Sequence, residues 1–318
     1  MTERRDSRSA PARGSTDARK TGCVVESYGR RVIVRDDLDG QRIKCKLRGR
    51  KLEVVAGDNV ALEMETRGGE WIVAERLPRR NVLKRTDSRG LDESIAANLD
   101  QLGIVIAPKP TSDPFIVDRY LAGAGYAGIE PLLLVNKLDL LAGEPSPDLQ
   151  FLDVFMRIGV PVIHVSARHK LGLDALMERL QGKRTLLAGQ SGVGKSSLTN
   201  VLCGGVQRAT SELSEGSGQG KHTTVASAVL QLPWGELADS PGVRDYAPPV
   251  VPVKEVQRGF VEIQARAHEC RFQDCVHLRE PQCAVQAAVA SGEIDARRFE
   301  SYRRLANLTR QLDEKRGW

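Results

Sequence analysis

The segment Gly189-Gln190-Ser191-Gly192-Val193-Gly194-Lys195-Ser196 constrains the fold of this chain more than any other stretch. It matches G-x-x-x-x-G-K-S, follows the apolar run 185–188 and opens a helical pattern over 197–202. Strand, glycine loop and helix in that order make a phosphate cradle. The glycines let backbone N–H groups converge on phosphate oxygens, and the helix N-terminus adds its positive dipole end. In such a loop Lys195 reaches the β- and γ-phosphates, the Ser196 hydroxyl ligates Mg²⁺, and Ser197 lines the first helical turn. The cradle needs a parallel sheet around it. Apolar strands at 102–107, 132–135, 162–165, 185–188 and 237–238 alternate with helical patterns at 115–121, 151–158 and 173–180, the texture of an α/β layer.

The other motifs name the base. Asn136-Lys137-Leu138-Asp139 follows a strand and matches N-K-x-D. Asp139 would accept hydrogen bonds from the guanine ring N–H and exocyclic amine. Adenine offers neither donor there, so the carboxylate would be left unpaired. Ser166-Ala167 ends the 162–165 strand and matches the short motif that supports guanine O6 through backbone N–H. Asp239-Ser240-Pro241-Gly242 matches D-x-P-G. Its Asp239 would hold Mg²⁺ through water, and the Gly242 N–H would face the γ-phosphate. Thr223 and Thr224, after the Gly-, Ser- and Glu-rich stretch 211–221, offer a hydroxyl for Mg²⁺, with no sequence ground for choosing between them.

The order of these motifs is permuted. In ordinary GTPases the phosphate loop comes first and the guanine tetrad near the end. Here the tetrad and Ser166-Ala167 precede the loop, and the threonines and D-x-P-G follow it. Joining the original termini and reopening the chain elsewhere keeps the same site, because domain termini commonly lie close together. The D-x-P-G segment then leads straight into the C-terminal region, so its motion could pull on that region. Catalysis has a gap: where many GTPases place a water-orienting Gln, this chain has Val243. His222 is the best local substitute, and a group supplied by a partner is the rival.

Flanking regions add two further features. Residues 21–80 read as short strands with Gly and Asp turns, which fits a small OB-fold barrel. Lys44, Lys46, Arg48, Arg50 and Lys51 make one strand and turn basic. That suits RNA, as does a net charge of +6 with a pI near 9.0, although a solvated strand face explains the lysines equally well. Residues 251–318 read as helical around Cys270, Cys275, His277 and Cys283, a set suited to one tetrahedral structural Zn²⁺, with His268 as a competing ligand. Phe299, Tyr302, Leu305, Leu308 and Leu312 form an apolar stripe with Arg298, Arg303, Arg304 and Arg310 around it. Cys23, Cys45 and Cys203 read as small buried hydrophobes. Residues 1–20 read as a disordered basic arm. The polar N-terminus and the absence of an apolar run of about 18–20 residues give the expectation of a cytoplasmic protein with no membrane partner.

In combination these motifs resemble the RsgA/YjeQ family of circularly permuted, ribosome-associated GTPases. Ala97-Asn98-Leu99-Asp100-Gln101, Lys221-His222-Thr223-Thr224, the run 270–277 and Glu280-Pro281-Gln282-Cys283-Ala284-Val285 also match its texture. The resemblance covers nearly all of the chain after residue 20. It implies a multidomain protein: an OB-fold barrel, a circularly permuted P-loop GTPase domain over 81–250, and a helical zinc-binding domain. It also implies a monomer that hydrolyses GTP on the small ribosomal subunit late in its maturation, contacts rRNA and meets other assembly factors. The family histidine before the paired threonines falls on His222, while Val225 stands where a third threonine is common. The alternative is a nucleotide-switched RNA- or protein-binding module in which hydrolysis is secondary.

Overall fold

The computed structural model describes residues 20–65, 68–87, 90–141, 149–204, 227–240 and 246–316, with side chains to Leu312. The N-terminal arm up to residue 19, the stretch 211–221, His222, Thr223, Thr224, Val225, Pro241, Gly242 and Val243 lie outside the described residues.

Five strands form the first unit: β1 (Lys20–Tyr28), β2 (Arg31–Asp36), β3 (Arg42–Leu47), β4 (Asn59–Met64) and β5 (Trp71–Arg76). Pairing runs β1–β2–β3–β5–β4 and returns from β4 to β1, with only β3–β5 parallel, which closes the barrel. The period-2 pattern read from β3 is realised: Cys45 and Leu47 are buried, whereas Lys44 and Lys46 are exposed. Val24, Val34, Val60, Leu62 and Val73 fill the interior at 0% exposure. Each such side chain contributes about 1.5–3 kcal/mol relative to exposure. β1 serves two sheets. Lys20–Cys23 pair with β4, the register shifts between Val24 and Glu26, and Glu26 and Ser27 then pair with a strand of the next unit. The bulge turns the strand from one partner to the other.

A hairpin of β6 (Val82–Thr86) and β7 (Asp92–Ala97) leads into the central sheet. That sheet holds β8 (Gln101–Ile106), β9 (Glu130–Val135), β10 (Val162–His164), β11 (Arg184–Ala188), β12 (Ser227–Leu232) and β13 (Gly235–Asp239), in the order β10-β9-β8-β11-β13-β12. All pairings are parallel except β12–β13, and β12 joins β1, so barrel and central sheet are continuous. β8 is buried along its whole length, as a parallel strand covered on both faces must be. Its residues alternate between two cores. Ile104 and Ile106 meet Tyr120 and Leu121 of α1 (Pro114–Ala127). Val105 joins Leu176 and Leu180 of α3 (Leu173–Leu180) and Leu198 and Leu202 of α4 (Lys195–Leu202). The short helix α2 (Leu152–Arg157) brings Phe155 to the first core. α1 starts where Asp113 accepts a hydrogen bond from the Phe115 N–H ahead of Pro114, and stops at Gly128 with φ +66°.

Barrel and sheet are also pinned by Arg184. Its guanidinium donates to Glu236 at 2.6 Å and to the Gly57 carbonyl at 2.9 Å, and lies 3.3 Å from Cys23 Sγ. Cys23 is thus buried, as expected, but also sits in a polar joint.

The C-terminal unit comprises a 3₁₀ segment Val253–Gly259, α5 (Val261–Ala267), α6 (Ala284–Ala290) and α7 (Ala296–Arg316). The expected stripe on α7 is shorter than its spacing suggests. Tyr302 and Leu305 are buried, but Leu308 is 48% exposed. Arg298 departs further from the solvated surround assigned to it. It is buried and bonded to Asp118 of α1 and Glu262 of α5, because the last helix is seated over two acidic side chains. Beyond the D-x-P-G motif the chain is described again from Tyr246. Buried Tyr246 stacks on Tyr120 at 5.0 Å and its hydroxyl donates to the Lys84 carbonyl, while the Thr86 N–H donates to the Ala247 carbonyl.

Candidate functional site

The phosphate loop joins β11 to α4 at the C-terminal ends of the parallel strands, the end at which open α/β sheets bind ligands. Two of its glycines are required by close approach. A Cβ on Gly189, at φ +135°, would lie 2.2 Å from the Val105 carbonyl oxygen, and one on Gly194, at φ +92°, would lie 2.3 Å from Asn136 Nδ2. Lys195 Nζ donates to the carbonyls of Gly189 and Gln190 at 2.5 and 2.6 Å, so the lysine is folded over the loop that it would serve. Ser191, Ser196 and Ser197 are exposed, and Val193 is buried beneath the loop.

Asn136 ties the motifs together. Its Nδ2 donates to the Val193 carbonyl at 3.0 Å, and its Oδ1 accepts from the Ala167 N–H at 3.1 Å. One buried carboxamide thus spans the phosphate loop and the Ser166-Ala167 turn, each satisfying a polar group that burial would otherwise penalise. Lys137, at φ +64°, donates from Nζ to the carbonyls of Lys109 and Gly192, both at 2.7 Å. The loop after β8 therefore forms a second wall of the cradle, which the motifs did not reveal. Asp139 sits on the 3₁₀ turn Leu138–Leu141 and accepts from the Ser166 hydroxyl at 2.5 Å. That hydrogen bond holds the Asp139 carboxyl below the usual carboxylate range, so it is ionised at neutral pH. His169 Nε2 lies 3.9 Å from the same carboxylate. Asp239 ends β13, which pairs in parallel with β11, so it emerges beside the strand that feeds the phosphate loop. The polar cleft of about 670 Å³ lined by Arg80, Asp100, Arg184 and Glu236 is separate. It opens at the opposite ends of these strands and belongs to the joint with the barrel.

The structure brings Cys270, Cys275, His277 and Cys283 together, with their ligand atoms within 4.8 Å of one another. His277 Nδ1 is 3.5, 3.4 and 3.4 Å from the sulfurs of Cys270, Cys275 and Cys283. This convergence of soft donors on one point could hold a metal ion. Burial pushes the Cys275 thiol up to about 12 and depresses the His277 imidazole, which is therefore neutral and able to ligate. His268 stands apart, its side chain 76% exposed beside Glu269, so the competing assignment falls.

Comparisons with known proteins agree with this geometry. The family model described as RsgA GTPase matches residues 76–247. A small ribosomal subunit biogenesis GTPase RsgA from Pseudomonas fluorescens (strain SBW25) is 42% identical over 295 residues, 91% of this chain and 86% of the relative. One from Azotobacter vinelandii is 41% identical over 297 residues, covering 92% and 86%. Among solved structures, YjeQ from Thermotoga maritima superposes with a TM-score of 0.72 at 30% identity, covering 92% of this chain and 98% of that one. YloQ, described as a circularly permuted GTPase, gives 0.70 at 25% identity, covering 94% and 98%. With its permuted cradle, closed barrel and Cys/His cluster, the chain belongs to the RsgA family of GTPases.

Proposed function

We propose that the chain binds GTP with Mg²⁺ and hydrolyses it to GDP and phosphate while docked on the small ribosomal subunit, late in that subunit's maturation. The observation that carries the reading is the Asn136 bridge, which couples the phosphate-binding and base-binding halves of one pocket despite their permuted order. Asp139 would read the guanine edge, with Ser166 and Ala167 beside O6. Backbone N–H groups over 189–195 and the Lys195 ammonium would hold the phosphates. Ser196, one of Thr223 and Thr224, and Asp239 through water would hold Mg²⁺, which supplies charge neutralisation at the β- and γ-phosphates. Gly242 would meet the γ-phosphate. Val243 has no polar group to orient water, so His222 or a group of the subunit completes the site on docking.

Three thiolates and an imidazole fit Zn²⁺. Tetrahedral bonds of about 2.3 Å to sulfur and about 2.0 Å to nitrogen set sulfurs about 3.8 Å apart and sulfur from nitrogen about 3.5 Å. Cys270 and Cys283 sulfurs are 3.8 Å apart, and the nitrogen distances are 3.4–3.5 Å. The ion's role is structural, since the protein fills all four positions. We assign 1–20 to a basic arm, 21–80 to the OB-fold, 81–250 to the permuted G domain and 251–318 to the zinc domain. The exposed Lys44, Arg50 and Lys51 of the barrel support contact with rRNA. The protein works as a cytoplasmic monomer alongside other assembly factors. Single-turnover GTP hydrolysis, measured with and without small subunits, tests the whole reading. Stimulation by small subunits supports it, and equal slow rates would favour a nucleotide-switched binding module.

A further inference from the structure

His277 has two faces. Its Nδ1 points at the three sulfurs, and its Nε2 lies 2.9 Å from Gln257 Oε1. A neutral imidazole carries one proton, and a nitrogen that ligates metal cannot carry it. The Gln257 carboxamide decides where that proton resides. Its oxygen can only accept, so Nε2 carries the hydrogen and Nδ1 keeps its lone pair toward the sulfurs. The opposite tautomer would aim an N–H into the cluster and leave the carboxamide oxygen facing a lone pair. Within the ring's surroundings, Tyr302 donates its hydroxyl to the Val276 carbonyl at 2.8 Å and tilts against the imidazole at 6.1 Å. It fixes the neighbouring backbone but offers the ring nitrogens nothing.

Gln257 does not belong to the metal loop. It lies 20 residues earlier in the chain, on the 3₁₀ segment that seats the C-terminal unit on α1. There the Tyr126 hydroxyl donates to the Val256 carbonyl at 3.3 Å. A Cβ at Gly125 would lie 2.7 Å from the Arg258 carbonyl oxygen, and one at Gly259 2.7 Å from Ala122. Backbones this close leave the segment little freedom to shift. The acceptor that sets the imidazole is therefore held by the contact with the G domain.

We propose that Gln257 is a positioning residue of the metal centre: it selects the Nδ1-ligating tautomer of His277 and ties metal retention to the seating of residues 253–259 on α1. The proposal rests on the zinc reading above. Its test uses the full-length protein loaded with Zn²⁺, and follows metal release to a colorimetric chelator for wild type, Gln257→Leu and Gln257→Glu. Loss of such an outer partner typically weakens metal binding about 10–100-fold, so Gln257→Leu should release zinc faster by that order. Gln257→Glu keeps an acceptor and should restore wild-type retention. Long-range ¹H–¹⁵N correlation of the wild-type imidazole should show the proton on Nε2, a readout independent of either variant's folding. A wild-type imidazole ligated through Nε2, or Gln257→Leu releasing zinc at the wild-type rate, would overturn the proposal while leaving the zinc site intact. Wild type purified without any bound metal would instead overturn the zinc reading, and the proposal with it.

Discussion

Arg298 Nη1 lies 2.7 Å from Asp118 Oδ1, and both side chains are 1% exposed. The pair fastens the last helix to the G domain, and Glu262 at 2.7 Å occupies the other side of the guanidinium. Arg297 also pairs with Asp118, at 2.6 Å, so removing Arg298 leaves the buried carboxylate one cation and should cost less than the roughly 3–5 kcal/mol of a charge left wholly unpaired. Arg298→Met should therefore destabilise the fold measurably in denaturant unfolding, and Asp118→Leu, which leaves both arginines without that carboxylate, should do so more. Replacing Asp118 and Arg298 together by apolar residues should cost less than the sum of the single changes.

Asp139→Asn should weaken GTP binding by about 10-fold or more, since each hydrogen bond to a charged group contributes about 1.5–3 kcal/mol. It should also raise affinity for XTP, whose C2 oxygen can accept from the new amide. A variant with unchanged GTP affinity and no gain for XTP would remove Asp139 from the base pocket.

The Ser166 hydroxyl depresses the Asp139 pKa, and the sign of the pH effect follows. Guanine recognition by the carboxylate is fully present above the ordinary carboxylate range, and is lost as pH falls through the depressed value. Ser166→Ala raises that value, so the acid limb of GTP binding should move to higher pH. Titrating nucleotide affinity against pH for both proteins would reveal the displacement.

Elemental analysis of protein purified without added metal should find about one zinc per chain, as one four-ligand site requires. Cys275→Ala should lose it. Burial raises the thiols of Cys275 and Cys283, so without metal these two thiols are protonated at neutral pH. Zinc uptake should then release protons and weaken as pH falls, which calorimetry in buffers of different ionisation enthalpy would detect.

Two predictions concern the ribosome. Binding to small subunits should weaken as salt rises, because phosphate neutralisation releases counterions. A salt-independent affinity, or equal affinity for large subunits, would point to a protein contact instead.

His222→Ala should keep GTP and subunit binding but lose most of the stimulated rate, about 10²–10⁴-fold. Stimulated turnover and nucleotide affinity measured on the same preparation would separate the two effects. Near-normal turnover would assign the water-orienting group to the subunit.

The phosphate loop and guanine tetrad were legible because their chemistry is local: each needs a few residues at fixed spacing after a strand. The barrel strands were legible from alternation such as Ile43, Cys45 and Leu47. The β6–β7 hairpin was not, because Lys84, Arg85, Asp92 and Glu93 are polar on an exposed pair, and only Leu83 and residues 95–97 turn inward. β12 was missed as well, since its six residues are bounded by a stretch without strand texture and by the Pro233-Trp234 turn. Arg298 read as a surface charge because its partners Asp118 and Glu262 are remote in sequence. Spacing alone left His268 in contention, and the fold removed it by turning its side chain to solvent.

A sheet of eleven strands would ordinarily expose two edges whose unpaired N–H and C=O groups could template another chain. β4 folds back onto β1, which uses up one of them. Among the described residues, β12 pairs with β1 at Ser227 and Ala228, and the terminal strand left to this sheet is β10, which is three residues long. So short a rim cannot support strand addition of useful length. The β10 end of the sheet is thus protected against edge-to-edge self-association, and a partner meeting it there must recognise side chains and loops rather than lend it a strand.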